Sequence, residues 1–188
     1  MTSFVIKIIA CITMVLDHIK YAIPCTNGIL TEYFGRMSFP LFAFLITEGY
    51  VHTKDLKKYC FRLLVFGFIS QIPYMFFRSL VGEWRLLNIM FTMALGLMAI
   101  FVYDKIEKKY ISIPIVIFVA YLGDILRVDY GSYGVLTVFI IYLLKNKKII
   151  LPIVYGMFVW FYYYSILEEW IFKFPYIFKK FYHFHLHL

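Results

Sequence analysis

Seven apolar runs, at about 4–23, 37–51, 60–78, 87–103, 111–127, 133–144 and 149–167, fill most of this 188-residue chain. Crossing the hydrocarbon core of a bilayer takes about 20 apolar residues of helix, so a span with its loop takes roughly 25. The chain therefore has room for about seven spans and no soluble domain. The runs lack the strict alternation and turn spacing of a membrane barrel, so helices must satisfy their backbone groups. Composition points the same way: 63% of residues are hydrophobic and 16% charged, against about 45–50% and 25% in soluble domains. The expected fold is all-α, a polytopic transmembrane helix bundle in which residues 1–188 form a single domain. The second and sixth runs are short for a span and are expected to extend into their flanks. No cleavable signal is read in the first run, which carries Asp17 and His18 and is followed by no small-residue cleavage site.

Charge sets the orientation. The net charge is +8, but the positive residues sit in short segments between apolar runs, which is how topology is encoded; no nucleic-acid partner is expected. The segments after runs two, four and six hold ten Lys and Arg, and those after runs one, three and five hold five. The first set is clustered lysine and the second scattered arginine, so the lysine segments and the N-terminus are expected in the cytoplasm. Cys11, Cys25 and Cys60 are odd in number and at unrelated depths, and imply no disulfide framework.

With this orientation, polar groups from five runs gather at the outer end. Asp17 and His18 lie late in the first run, and Arg36 opens the second. Gln71 ends the third, Asn88 and Thr92 open the fourth, and Asp124 closes the fifth with Asp129, Tyr130 and Tyr133 just beyond. A charge inside a span costs about 2.5–3.5 kcal/mol on insertion scales, so such groups persist where they pair or do chemistry. An imidazole titrating near neutral pH is suited to take a proton from an attacking amine or hydroxyl. Arg36 suits a carboxylate, a phosphate or a developing oxyanion. Asp17, about 100° from His18 around a helix, does not share its face, and Asp124 is an equal candidate to orient the ring. The structural alternative is an Asp17–Arg36 ion pair with His18 merely hydrogen-bonded. Glu48 and His52, one turn apart in TEGYVHTK, read as a helix-end pair. The aromatic residues, FYYY (161–164) included, read as packing and interfacial anchors.

Three blocks carry a resemblance: LDHIKYAI (16–23), FGRMSFPLFAFLITEGYVHTKDLKKYCFRLLVFGFISQIPY (34–74) and LNIMFTMALGL (87–97). In order and spacing they resemble the TraX family over roughly residues 10–105, with a weaker likeness in YLGDILRVDYGSYGVL (121–136). That family is named for the conjugation protein that N-acetylates F-type pilin, and is thought related to larger membrane acyltransferases using acyl-coenzyme A and a first-helix histidine. The resemblance implies an acetyltransferase of the bacterial inner membrane with acetyl-CoA as co-substrate. It matches His18 to the candidate catalytic histidine, with Asp17 beside it, and Arg36 to the arginine opening the R-x-x-F-P-L-F block. Asn88 is a second candidate for the oxyanion, and Asp124 completes the expected catalytic set.

The same resemblance makes the Glu48–His52 end the cytosolic mouth, where Lys54, Lys57, Lys58 and Arg62 would meet the phosphates of coenzyme A. The acceptor would be the N-terminus of a pilin-like peptide, or an envelope glycan or lipid hydroxyl. The likeness departs at the C-terminus, where the family's Tyr-Pro-x-His-Leu-like segment is replaced by FKKFYHFHLHL (178–188). His183, His185 and His187 alternate as metal ligands on a strand would, but no carboxylate or cysteine is close in sequence, and no metal is expected. Two rival readings are a proton-coupled transporter with Asp17, His18, Glu48 and Asp124 as its relay, and a non-catalytic assembly factor descended from the enzyme. The transporter lacks an inverted repeat and paired broken helices.

Overall fold

In the computed structural model, residues 3–22, 37–79, 86–147 and 149–160 are described. The first six apolar runs become helices within a few residues of their expected places, and the seventh is helical as far as the described residues reach. They are α1 (Ser3–Ala22), α2 (Ser38–His52), α3 (Leu56–Ser79), α4 (Ile89–Lys105), α5 (Lys109–Ile125), α6 (Gly131–Leu144) and α7 (Ile150–Trp160). The protein is all-helical over the described residues; the one β-type contact is an isolated parallel bridge between Leu87 and Val128. Two compact units divide the chain, Met1–Lys145 and Asn146–Leu188. The first holds α1 to α6, and α7 belongs to the second.

Local chemistry starts the helices where the apolar runs alone would not. Asp55 accepts from the Lys58 backbone N–H (3.0 Å) and caps α3, while Asn88 accepts from Met90 (3.0 Å) and caps α4. In the first unit, α4 and α6 form the centre, with α5 against both, α2 against α6, α1 against α2 and α3 against α4. Small and hydroxylated residues fill these interfaces: Ala43, Thr47, Thr92, Ala99, Ser112 and Thr137 are all buried. Larger apolar side chains such as Phe39, Leu97 and Ile100 are buried with them, while many others face outward. Phe4 is 69% exposed, Phe61 68% and Phe76 73%.

Small and hydroxylated residues at the helix contacts, with many large apolar side chains facing outward, are the arrangement of helices packed in lipid, where burial from water no longer sorts the side chains. An apolar surface of this extent also far exceeds the patches of proteins bathed in water. The architecture is that of a membrane-associated protein. Among the described helices, α3 is long and apolar enough to cross a bilayer by length and composition. α1 is 20 residues long but carries Lys7, Asp17 and Lys20.

The α4–α6 contact depends on Gly96, where an added Cβ would lie 2.8 Å from Val138 Cβ and Cγ1. Gly96→Ala should therefore destabilise the protein by about 1–3 kcal/mol through overpacking. Val138→Ala in the same molecule should recover much of that loss. Thermal unfolding of the two single variants and the double variant measures the coupling, and additive effects would show that the contact is loose.

Candidate active site

His18 lies in the last turn of α1, half-buried against Phe77 of α3, with ring centroids 4.8 Å apart. Its Nδ1 is 2.8 Å from the Met14 carbonyl oxygen. A carbonyl only accepts, so Nδ1 carries the proton, and in the neutral ring Nε2 is the acceptor nitrogen. Backbone thus selects the tautomer a general base requires.

Asp129, in the turn between α5 and α6, lies within electrostatic reach of His18. Burial pushes its carboxyl above the usual carboxylate range, against the pull of Arg78, Tyr74, His18 and the Tyr130 backbone. Tyr74 and Arg78 are four residues apart on α3, so both project from one side of its last turns. Two helices and a turn thereby bring imidazole, carboxylate, guanidinium and phenol together.

The turn carrying Asp129 is held in an unusual backbone conformation. Arg127 (φ +53°), Tyr130 (φ +65°) and Gly131 (φ +49°) all take left-handed values, which side-chain-bearing residues adopt only under constraint. Leu87 donates to the Arg127 carbonyl (3.0 Å), and Asp129 N–H to that of Leu87 (2.8 Å). The Thr92 hydroxyl, fully buried, donates to the Asp129 carbonyl. Phe39 stacks on Tyr130 with centroids 4.2 Å apart. A carboxylate placed by this many contacts is preorganised.

The other residues expected in a catalytic set are placed differently. Asn88 is buried; its amide donates to the Gly67 carbonyl (2.7 Å) and Ser70 Oγ (3.1 Å), and its backbone N–H to Gln71 Oε1 (2.9 Å). Gln71 in turn donates to the Leu86 carbonyl (2.9 Å). Together they join α3 to the start of α4. Asp124 accepts from the Ser132 backbone N–H at 2.7 Å and caps α6 beside Gly131, where any Cβ would collide with its carboxylate. Asp17 is half-buried one residue before His18. Arg36 lies outside the described residues, as do Cys25, FYYY (161–164) and the three C-terminal histidines.

Asp129 stood near the expected cluster, but Tyr74 and Arg78 were not picked out as site residues. The available signal was their i, i+4 spacing at the end of an apolar helix, in QIPYMFFR (71–78).

At the opposite end, Tyr50 of α2 and Tyr142 of α6 both donate to Asp104 Oδ2 of α4, at 2.9 and 2.6 Å. Their rings meet edge to face with centroids 5.6 Å apart. Here too lie Glu48 and His52, 3.6 Å apart, and the basic start of α3. The four expected phosphate ligands divide between two sides of that helix. Lys54 and Lys57 join Lys105 at the mouth of a groove of about 900 Å³ between α3 and α4. Lys58, paired with Asp55 at 3.5 Å, and Arg62, beside Tyr59, do not line it. Tyr59 packs on Gly49 of α2. Eighteen residues, five whole turns, separate Tyr59 from Phe77, so one face of α3 runs from this basic end to His18.

Fold and site together define a membrane-associated helical protein with a histidine and a half-buried aspartate at one end of the bundle. The chain matches the family model described as TraX protein over residues 3–168, and it belongs to that family. It is 30% identical over 146 residues to a protein of Dichelobacter nodosus named probable fimbrial assembly protein FimC, serogroup H1. That match covers 72% of this chain and 59% of the relative, so the chain spans about three-fifths of the relative's length. No solved structure matches the chain.

Proposed function

We propose that this protein is a multi-pass acetyltransferase of the bacterial inner membrane that modifies an amine or hydroxyl at the outer face, in a pilus-related role. The observation that carries this reading is His18, with Nδ1 committed to the Met14 carbonyl and Nε2 left to accept a proton near the half-buried Asp129. The relative's name, a fimbrial assembly protein, favours a pilin-like peptide N-terminus as acceptor over an envelope glycan or lipid hydroxyl.

In the proposed reaction the acceptor nitrogen or oxygen attacks the acetyl thioester carbonyl as His18 Nε2 takes its proton. Asp129 stabilises the imidazolium, and Arg78 and Tyr74 supply donors for the tetrahedral oxyanion. When the intermediate collapses, the C–S bond breaks and the thiolate of coenzyme A leaves, taking the proton from His18. Acetyl-CoA is the donor, and no metal takes part. We assign its phosphates to Lys58 and Arg62, at the basic end of the α3 face that leads to Phe77 and His18. Lys58→Gln with Arg62→Gln should raise KM for acetyl-CoA about tenfold and flatten its salt dependence, with kcat little changed. Unchanged KM would remove the pair from donor binding.

The deciding experiment incubates purified protein with labelled acetyl-CoA and either pilin-like N-terminal peptides or membrane extracts. Label transferred to the peptide supports the reading. No transfer to any acceptor, with pilus assembly still dependent on the protein, would favour the assembly-factor reading that the relative's name also supports.

The reading also includes about seven spans with the N-terminus and lysine segments in the cytoplasm. In a variant without native cysteines, a cysteine replacing Lys57 or Lys147 should resist impermeant thiol reagents in intact cells. One replacing Glu32 or Glu83 should react. The reverse pattern would put the His18 end inside.

A further inference from the structure

The groove between α3 and α4 has features that the acetyl-transfer reading does not use. Below Cys60 its lining side chains are apolar, from Leu64 on α3 and Met98, Leu95 and Phe91 on α4 to Leu87 and Val128 at the far end. Its mouth is basic, formed by Lys54, Lys57 and Lys105, while the one carboxylate there, Asp55, is paired with Lys58. Met98 and Phe101 line the groove and are still 50% and 39% exposed, so its long side is open.

We propose that this groove binds an anionic membrane phospholipid, with its phosphate against Lys54, Lys57 and Lys105 and one acyl chain lying between α3 and α4. Charge complementarity at the mouth selects the headgroup. The apolar wall selects the tail. A pantetheine arm would bring two amides into a channel whose side chains below Cys60 offer no hydrogen-bond partner, an uncompensated desolvation that a hydrocarbon avoids. Length agrees as well. At 1.5 Å per residue, the α4 lining from Lys105 to Phe91 rises about 21 Å, enough for the roughly 15 Å of one leaflet's hydrocarbon. A lipid held by its headgroup at the lysines therefore lays one leaflet's depth of chain along the groove. The site is independent of whether the protein transfers acetyl groups.

Cys60 lines the groove and reports its occupancy. The full chain with Cys11→Ser and Cys25→Ser is reconstituted in phosphatidylcholine bilayers, with or without phosphatidylglycerol, and alkylated at Cys60 with a small apolar maleimide. Phosphatidylglycerol should slow labelling about tenfold, and Lys54→Gln, Lys57→Gln and Lys105→Gln together should abolish that protection. Native mass spectrometry of the parent should find one phosphatidylglycerol retained per chain, and none in the triple variant. Equal labelling in both bilayers would overturn the proposal. So would equal protection in phosphatidylcholine by soluble glycerol phosphate, which would make the site one for phosphate alone. Protection by acetyl-CoA in place of the lipid would also overturn it and move the donor into the groove. Acetyl transfer, measured separately, plays no part in any of these outcomes.

Discussion

His18→Asn should remove nearly all acetyl transfer while leaving the protein folded. Loss of a general base typically lowers the rate 10²–10⁴-fold, about 3–5 kcal/mol of barrier. Asparagine retains a polar, hydrogen-bonding side chain, but it cannot accept the acceptor's proton. Because His18 is only half-buried and its hydrogen bond is to its own helix at Met14, the melting temperature should move little. Single-turnover transfer from labelled acetyl-CoA, with thermal unfolding of the same samples, tests both halves. A fully active but thermally weakened variant would make His18 a packing residue.

Asp129→Asn carries the other large effect, and here activity and stability should part. In the proposed reaction this carboxylate stabilises the imidazolium, and its loss should cost about 10²–10³-fold in rate, the range for one preorganised electrostatic group. Stability should move the other way as pH rises. Burial, the largest influence on Asp129, raises its carboxyl above the unfolded value, so the native state holds this proton more tightly than the unfolded chain does. Stability from this group is then greatest at low pH and falls as pH rises from about 4, the unfolded carboxylate value, through the raised native one. Asparagine has no such slope. The variant should gain on the parent in melting temperature as pH increases over that interval. A variant less stable at every pH would show that the carboxylate mainly holds Arg78 and the turn in place.

Sequence was most informative where the relevant physics is local. The described helices follow the apolar runs, and the caps at Asp55 and Asn88, which the structure adds, act only on their own near neighbours. The gathering of polar groups at one end was equally legible, since alternating helices return to the same end. His18 stood out because an ionisable residue in an apolar run needs a reason to be there.

What acts on His18 is a different matter. Asp17, off the face of His18, and Asp124 were equal candidates to orient its ring; the structure uses Asp124 to cap α6 and places Asp129 within electrostatic reach of the ring. That outcome depends on three left-handed residues in one turn, on Thr92 and Leu87 holding its backbone, and on Phe39 closing over Tyr130. None of these has a local periodic signature. The basic start of α3 shows the same limit. Lys57 and Lys58 are adjacent in sequence, yet one lines the groove and the other does not, because about 100° of helix separates them and α4 packs against one side alone. Sequence by itself determined which segments are helices and which end of the bundle is polar, because backbone groups in lipid must be satisfied within each segment. Which side chains meet across helices was decided only by tertiary packing, through contacts such as Gly96 on Val138 that place whole helix faces against each other.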